Sequence, residues 1–280
     1  MSITVMFVVL LSGLLHASWN AMIRSATDRT LDTVLVVAAA GLIIACWLPF
    51  APLPAAASWP HIAASAAIHV GYFLLVAMSY RHGELSFVYP IMRGSAPALS
   101  AIVAALLIGE VPTAAGWLGV FLVSTGIMVI AADSWRKGSF HAGSALFAIG
   151  TAGVIVIYTL VDGTGARLSG NAVSYTGWMF LFTAIPLLII FLLRDHRRTT
   201  AYLQRHWRRG LIGGGCTFAS YALALWAMTQ APIALVAALR ETSVIFAVVI
   251  AAVVLREGIT RTRYASILIV IAGAIAIKLA

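Results

Sequence analysis

The sequence predicts an all-α integral membrane protein of ten transmembrane helices, arranged as two inverted five-helix repeats. Three observations predict it: the composition, the division into helix-length apolar runs, and a self-similarity at one constant offset. Of the 280 residues, 62% are hydrophobic and 10% are charged, whereas a soluble domain is roughly half apolar and about a quarter charged. Mean hydropathy is +1.00. No globular core could hide this much apolar surface, so the solvent must be largely lipid.

In order, the apolar runs fall at 3–23, 31–50, 61–80, 86–108, 112–132, 140–161, 172–193, 210–229, 232–255 and 261–279. A spanning helix takes about 20 apolar residues, and lipid offers the backbone no partner outside its own helix. Pro60, Pro112 and Pro232 stand near helix starts, where a missing N–H costs little. Pro90, Pro97 and Pro186 fall inside runs and are expected to kink them. The opening Met1-Ser2-Ile3-Thr4 has no basic region, so the first run reads as a retained helix and not a signal peptide. Cys46 and Cys216 lie within apolar runs, which speaks against a disulfide framework or a metal site.

The net charge of +9 sits in the connections between runs, so its expected partners are anionic lipid headgroups and not nucleic acid. The odd-numbered connections carry Arg24, Arg29, Arg81, Arg136, Lys137, Arg194, Arg197, Arg198, Arg205, Arg208, Arg209, Arg256, Arg261 and Arg263. The even ones and the termini carry Arg167 and Lys278, a ratio of 14 to 2. The basic side is expected to be cytoplasmic, which puts both termini of a ten-helix chain on the other side. The seventh connection, Arg194 to Arg209, dominates the count and reads as a topology determinant resting on headgroups.

The self-similarity sets the domain organisation. A shift of 147 (240 − 93) carries Arg93 onto Arg240, Glu110 onto Glu257, Thr113 onto Thr260 and Gly126 onto Gly273. It also carries Ala104-Ala105 onto Ala251-Ala252 and Trp117 onto the aromatic Tyr264. Upstream, Tyr72 to Met78 resembles Tyr221 to Met228. The halves meet in the polar segment 133–139, giving repeats at 1–132 and 140–280. Five helices per half is an odd number, so the second half is inverted. That construction forms one site between the halves and opens it alternately to either face.

Polar residues at membrane depth are costly and suggest function. Ser12, His16, Asn20 and Arg24 recur at four-residue spacing beside Trp19, a stripe that serves either helix–helix hydrogen bonding or ligand contact. In the fourth helix Tyr89 and Arg93 share a face with Ser86, Ala96 and Ser100. In the ninth, Arg240, Glu241 and Ser243 stand together. Each arginine serves either an interhelical salt bridge or a forked contact with a substrate carboxylate. His69 with Tyr72, and Thr217 with Tyr221, look like cavity lining, and Tyr158 and Trp226 join the aromatics at that depth. The candidate substrate-binding set is therefore His16, Trp19, Asn20, Tyr72, Tyr89, Arg93, Tyr158, Tyr221, Trp226, Arg240 and Ser243. An amino acid would give its carboxylate to one arginine and its ammonium to His16, Asn20 or tyrosine hydroxyls.

Glu110 and Glu257 read as caps of the fifth and tenth helices, with Thr113 and Thr260 three residues on. Gly119, Gly126 and Gly273, and the run Gly213-Gly214-Gly215, would permit close helix packing. There is no His-Glu-x-x-His, nucleophile elbow, Walker loop or dinucleotide fingerprint, so no catalytic residue, metal or cofactor is expected.

Three stretches resemble one family. LLHASWNAMIR at 14–24, YPIMRGSAPALSAIVAALLIGE at 89–110 and ALRETSVIFAVVIAAVVLRE at 238–257 are similar to the EamA family of the drug/metabolite transporter superfamily. The resemblance spans essentially the whole chain. It implies an inner-membrane exporter or exchanger of small metabolites, amino acids foremost, with a cavity lined by helices 1, 3, 4, 6, 8 and 9. The family is usually drawn with both termini in the cytoplasm, opposite to the charge reading. Small multidrug members of the superfamily carry a carboxylate in the first helix, where this chain has His16, so the resemblance does not extend to cationic-drug antiport. The alternatives are an organic-anion or phosphate-ester exchanger, and a membrane-embedded lipid enzyme. The expected partners are a small-molecule substrate and membrane lipids, with a monomer compatible with all of this.

Overall fold

A computed structural model describes residues 1–79, 85–136, 142–253 and 260–280, with side chains at 1–75, 91–130, 148–253 and 260–280. Arg81, Lys137, Arg256 and Glu257 lie outside the described residues, as do the side chains of Tyr89 and Arg136. All the regular structure described is helical. It comprises α1 (Ile3–Arg24), α2 (Arg29–Trp47), α3 (Trp59–Ser79), α4 (Leu85–Leu107), α5 (Ala114–Arg136) and α6 (Ala142–Leu168). It continues with α7 (Ala172–Arg194), α8 (His196–Gln230), α9 (Ile233–Arg240), α10 (Ser243–Val253) and α11 (Arg261–Leu279). Among the described residues, seven helical segments are long and apolar enough to cross a membrane.

Short polar residues start these helices by accepting otherwise orphaned amides. Ser2 accepts from the amide of Val5, Asp28 from that of Leu31 and Thr260 from that of Arg263. Asn171 accepts from Val173 and Ser174 just after Gly170, whose φ of +70° turns the chain between α6 and α7. The outward faces are apolar: Phe7, Leu42, Leu106, Leu193 and Leu268 all stand exposed. A soluble protein does not present such a surface, and a bilayer covers it.

α1 packs on α8 and α10, α2 on α7 and α8, and α3 on α6 and α7. α4 packs on α5, α6 and α9, while α5 lies along α11. α5 and α11 meet backbone to backbone. A Cβ on Gly119 would stand 2.8 Å from the carbonyl oxygen of Gly273, and one on Gly273 would stand 2.9 Å from that of Gly119. Gly214 likewise lets α8 approach α2, since a Cβ there would come within 2.6 Å of the Ala40 amide nitrogen. Both contacts agree with the packing role expected of these glycines.

Two expectations about helix limits need correction. The eighth run does not start at residue 210. The segment from His196 is already helical and continues into it through a kink at His206 (φ −113°, ψ 16°), so most of the expected seventh loop is helix. Asp195 starts it by accepting from the amide of Arg198. Nor do its arginines only face headgroups. Arg209 holds the buried carboxylate of Asp32 at 3.1 Å and bonds the Met22 carbonyl and Ser25, while Arg198 pairs with Asp28 at 2.5 Å. The start of α8 is thereby tied to the turn between α1 and α2.

The ninth run is also broken. α9 ends at Arg240, and the amides of Glu241 and Thr242 bond back to the carbonyls of Ala238 and Leu239 before α10 begins. These tightened bonds close the helix end in mid-run. The signal was present in the polar triplet Arg240-Glu241-Thr242 within an apolar stretch.

At the opposite end from Arg209, Arg167 bonds Glu110 and the carbonyls of Met228 (2.7 Å) and Ala231 (2.9 Å). Glu110 accepts from the amide of Ile233 at 2.8 Å. Its carboxylate therefore caps α9, where a helix N-terminus favours an anion. Thr113 caps α5, accepting from Gly116 at 3.2 Å, so the expected role of Glu110 at the fifth helix is corrected. Lys278 reaches the carbonyl of Met1, which brings the two termini together.

Candidate functional site

The polar stripe of α1 divides on folding. Ser12 is consumed in packing, in a reciprocal pair with Ser220: each hydroxyl bonds the other's carbonyl, at 2.7 and 2.8 Å. One turn later His16 sits between two arginines. Arg93 of α4 places Nη2 2.7 Å from His16 Nε2, and Arg240 at the end of α9 places Nη2 3.3 Å from Nδ1. Asn20, a further turn on, anchors its amide nitrogen on the His16 carbonyl at 2.8 Å. Arg24 lies in a cleft that runs from His16 to Arg263 between α1, α5, α10 and α11.

The two arginines have different surroundings. Arg93 is 3% exposed, and its Nε lies 3.1 Å from the carboxylate of Glu241, itself 6% exposed, in the break between α9 and α10. The pair sits at ion-pair distance without hydrogen-bond alignment. Arg240 is half-buried, its guanidinium 5.0 Å from the centre of the Tyr221 ring and its Nε buried without a hydrogen-bond partner. A cation over an aromatic face is attracted by the ring, but its N–H groups still need acceptors. Adjacent residues on a helix point about 100° apart, and the break after Arg240 is what lets Glu241 turn towards α4.

Around these groups lies a small internal cavity. Eight predicted site residues line it: His16, Trp19, Asn20, Tyr72, Arg93, Tyr158, Tyr221 and Arg240. His69 and Thr217, read from the sequence as cavity lining, are there too, with Met179, Phe180 and Thr183 of α7. Ser243 faces the neighbouring cleft that shares His16 and Asn20. Trp226 is not brought in. It stands beside Arg167 and Asn171 at the far end, because five residues on from Tyr221 is about 140° around the helix and roughly 7.5 Å along it. The side chain of Tyr89 lies outside the described residues.

Sequence reasoning missed one buried group close to this cavity. Asp162 of α6 is fully buried and accepts hydrogen bonds from the hydroxyls of Tyr175 (2.9 Å) and Tyr221. His69 Nε2 is 4.0 Å away. A lone carboxylate directly after the sixth apolar run (140–161), six residues before its helix ends, was the available signal.

The apolar surface and the several helical segments long enough to cross a bilayer make this a polytopic membrane protein with charged groups converging on an internal cavity. Residues 143–279 match the EamA-like transporter family. No curated protein matches the chain. Among 26 matching chains of solved structures, one described only as "Crystal structure of protein" has a TM-score of 0.75 at 16% identity, covering 99% of this chain and 97% of that one. At this identity the likeness is one of fold.

Proposed function

We propose that the protein is a secondary transporter of the inner membrane that exports small metabolites, amino acids above all, by alternating access between the repeats 1–132 and 140–280. The observation that carries the substrate class is the position of His16 between two guanidinium groups. A neutral imidazole has one acceptor nitrogen and one N–H. Nε2, at 2.7 Å from Arg93, is the acceptor, so Nδ1–H and the Arg240 donor face each other at 3.3 Å. Two donors facing each other lack an acceptor, and a carboxylate approaching both from the cavity side would supply it.

Charge narrows the choice further. Glu241 offsets Arg93, so the cluster of Arg93, Arg240 and Glu241 carries one net positive charge (+2 − 1). That suits a monoanionic carboxylate better than a doubly charged phosphate ester. Asn20 keeps its carbonyl oxygen for an ammonium group while its nitrogen is held by His16. Trp19, Tyr72 and Tyr158 would cover an apolar side chain.

The repeat reading has support in the contacts that pair the halves. Gly119 and Gly273 meet reciprocally, and the packing of α1 on α8 is matched by that of α3 on α6. Arg93 and Arg240, equivalent by the 147-residue offset, approach one imidazole from opposite sides.

Purified protein in proteoliposomes should exchange labelled amino acids, with unlabelled amino acids competing and phosphate esters not. Exchange of phosphate esters without amino acids would overturn the substrate class. For orientation, the basic end is taken as cytoplasmic. A C-terminal reporter that works only in the cytoplasm should therefore stay silent, and its activity would reverse the assignment.

A further inference from the structure

We infer that His69 and Asp162 form a proton-binding site, and that Tyr221 couples its occupancy to the solute site at Arg240. The inference rests on the transport reading above and adds a coupling ion to it. Its geometry begins with the tautomer of His69. The ring nitrogen Nδ1 is 3.0 Å from the carbonyl oxygen of Ser65, which can only accept, so Nδ1 carries a hydrogen, which the Ser65 hydroxyl oxygen at 3.2 Å can also accept. In the neutral ring Nε2 is then the lone-pair nitrogen, and it faces the Asp162 carboxylate at 4.0 Å. Two acceptors oppose each other across a gap that one proton would fill.

Asp162 has no structural need to be ionisable. Its hydrogen bonds come from the hydroxyls of Tyr175 and Tyr221, and an amide oxygen could accept both. A fully buried carboxylate at membrane depth is expensive to maintain, and such a group beside a histidine is suited to carrying a proton. The step is a simple binding. A proton from water on one side joins Nε2, the site passes from one net negative charge to neutral, and the proton later leaves to water on the other side.

The other groups around the pair come from several helices. They are His61 on α3 itself, Tyr158 on α6, Tyr175 on α7, Tyr221 on α8 and Arg240 on α9, with the Arg93–Glu241 pair beyond Tyr158. Asp32 of α2 is engaged by Arg209 and Tyr202 at the basic end. Tyr221 is the link. Its hydroxyl bonds the same Asp162 oxygen, Oδ2, that faces His69, and its ring lies under the Arg240 guanidinium at 5.0 Å. A proton between His69 and Asp162 turns an acceptor–acceptor gap into an ion pair. It draws Oδ2 towards the imidazole, and Tyr221 and Arg240 move with it. Each ligand thereby changes the other's contacts, which is what coupling requires.

The experiment compares wild type with Asp162→Asn and His69→Gln in proteoliposomes. Wild type should accumulate amino acid against its gradient when a pH gradient is imposed, with proton movement seen by an internal pH dye. Asp162→Asn should keep labelled-for-unlabelled exchange and lose both accumulation and proton movement. A wild type indifferent to the pH gradient, or an Asp162→Asn protein that still accumulates solute, overturns the inference. If Asp162→Asn does not fold, His69→Gln decides, and gradient-driven accumulation by it is equally contrary.

Failure of the transport reading is separable. If wild type moves no amino acid, pH-jump infrared spectroscopy of the solute-free protein still reports on the proton. A protonation band lost in both variants sustains the site, and a wild type without one refutes it.

Discussion

Arg93→Ala is expected to remove most of the folded protein. The arginine is 3% exposed and holds Glu241, itself 6% exposed, at 3.1 Å, while also donating to His16. Removing it strands a carboxylate in a setting with no water to replace the lost charge. Breaking a buried pair by deleting one partner costs roughly 3–5 kcal/mol, while replacing both partners with apolar groups is often close to neutral. Monodisperse yield and the midpoint of thermal unfolding should therefore fall sharply in Arg93→Ala. They should recover in large part when Glu241 is replaced as well, by Glu241→Gln. A well-folded Arg93→Ala protein that transports normally would show that the ion pair does not organise the site.

Arg240→Gln should have the opposite profile. This arginine is half-buried and rests on the face of Tyr221 and against His16. Its loss leaves no buried partner uncompensated, so the protein should purify with near-normal yield. The solute, however, loses its charge-assisted hydrogen bonds. Such bonds contribute roughly 1.5–3 kcal/mol each, which corresponds to roughly 10- to 100-fold weaker binding for one of them. Amino-acid exchange in proteoliposomes should drop by at least that factor at low solute concentration. Normal exchange by Arg240→Gln would move the carboxylate contact elsewhere.

The contrast between these two arginines is what the sequence could not supply. A constant offset makes Arg93 and Arg240 equivalent, and equivalent residues invite one role. The asymmetry comes from Glu241, which has no counterpart at the offset: Gly94 occupies that position (241 − 147). One acidic residue in the second half pairs with an arginine of the first and leaves its own neighbour lining the cavity. The polar spacing of α1 did point to the cavity that His16 and Asn20 line, because residues four apart share a helix face. It did not reveal that Ser12 bonds Ser220 while His16 faces the arginines, which depends on how deep α8 packs.

Helix existence was legible from apolar runs, and helix ends less so. The arginine-rich segment after Arg194 reads as a loop by composition, yet it is helical because Asp195 caps it and Arg209 and Arg198 hold the carboxylates of α2 and the turn before it. Trp226 was read as cavity lining by depth alone. Periodicity relative to Tyr221 turns it to another face. Asp162 escaped notice because a single carboxylate at the end of an apolar run makes no pattern by itself; its meaning comes from His69, Tyr175 and Tyr221, each on a different helix.

Arg240 and the Nδ1–H of His16 are expected to receive a carboxylate. Calorimetric titration of the purified protein with an amino acid and with its amide tests it most directly, since the two ligands differ only at the carboxyl group. The account predicts that wild type binds the amino acid at least about tenfold more tightly than the amide, the loss of one charge-assisted hydrogen bond, and that Arg240→Gln removes the difference. Equal affinity of wild type for the two ligands would contradict it.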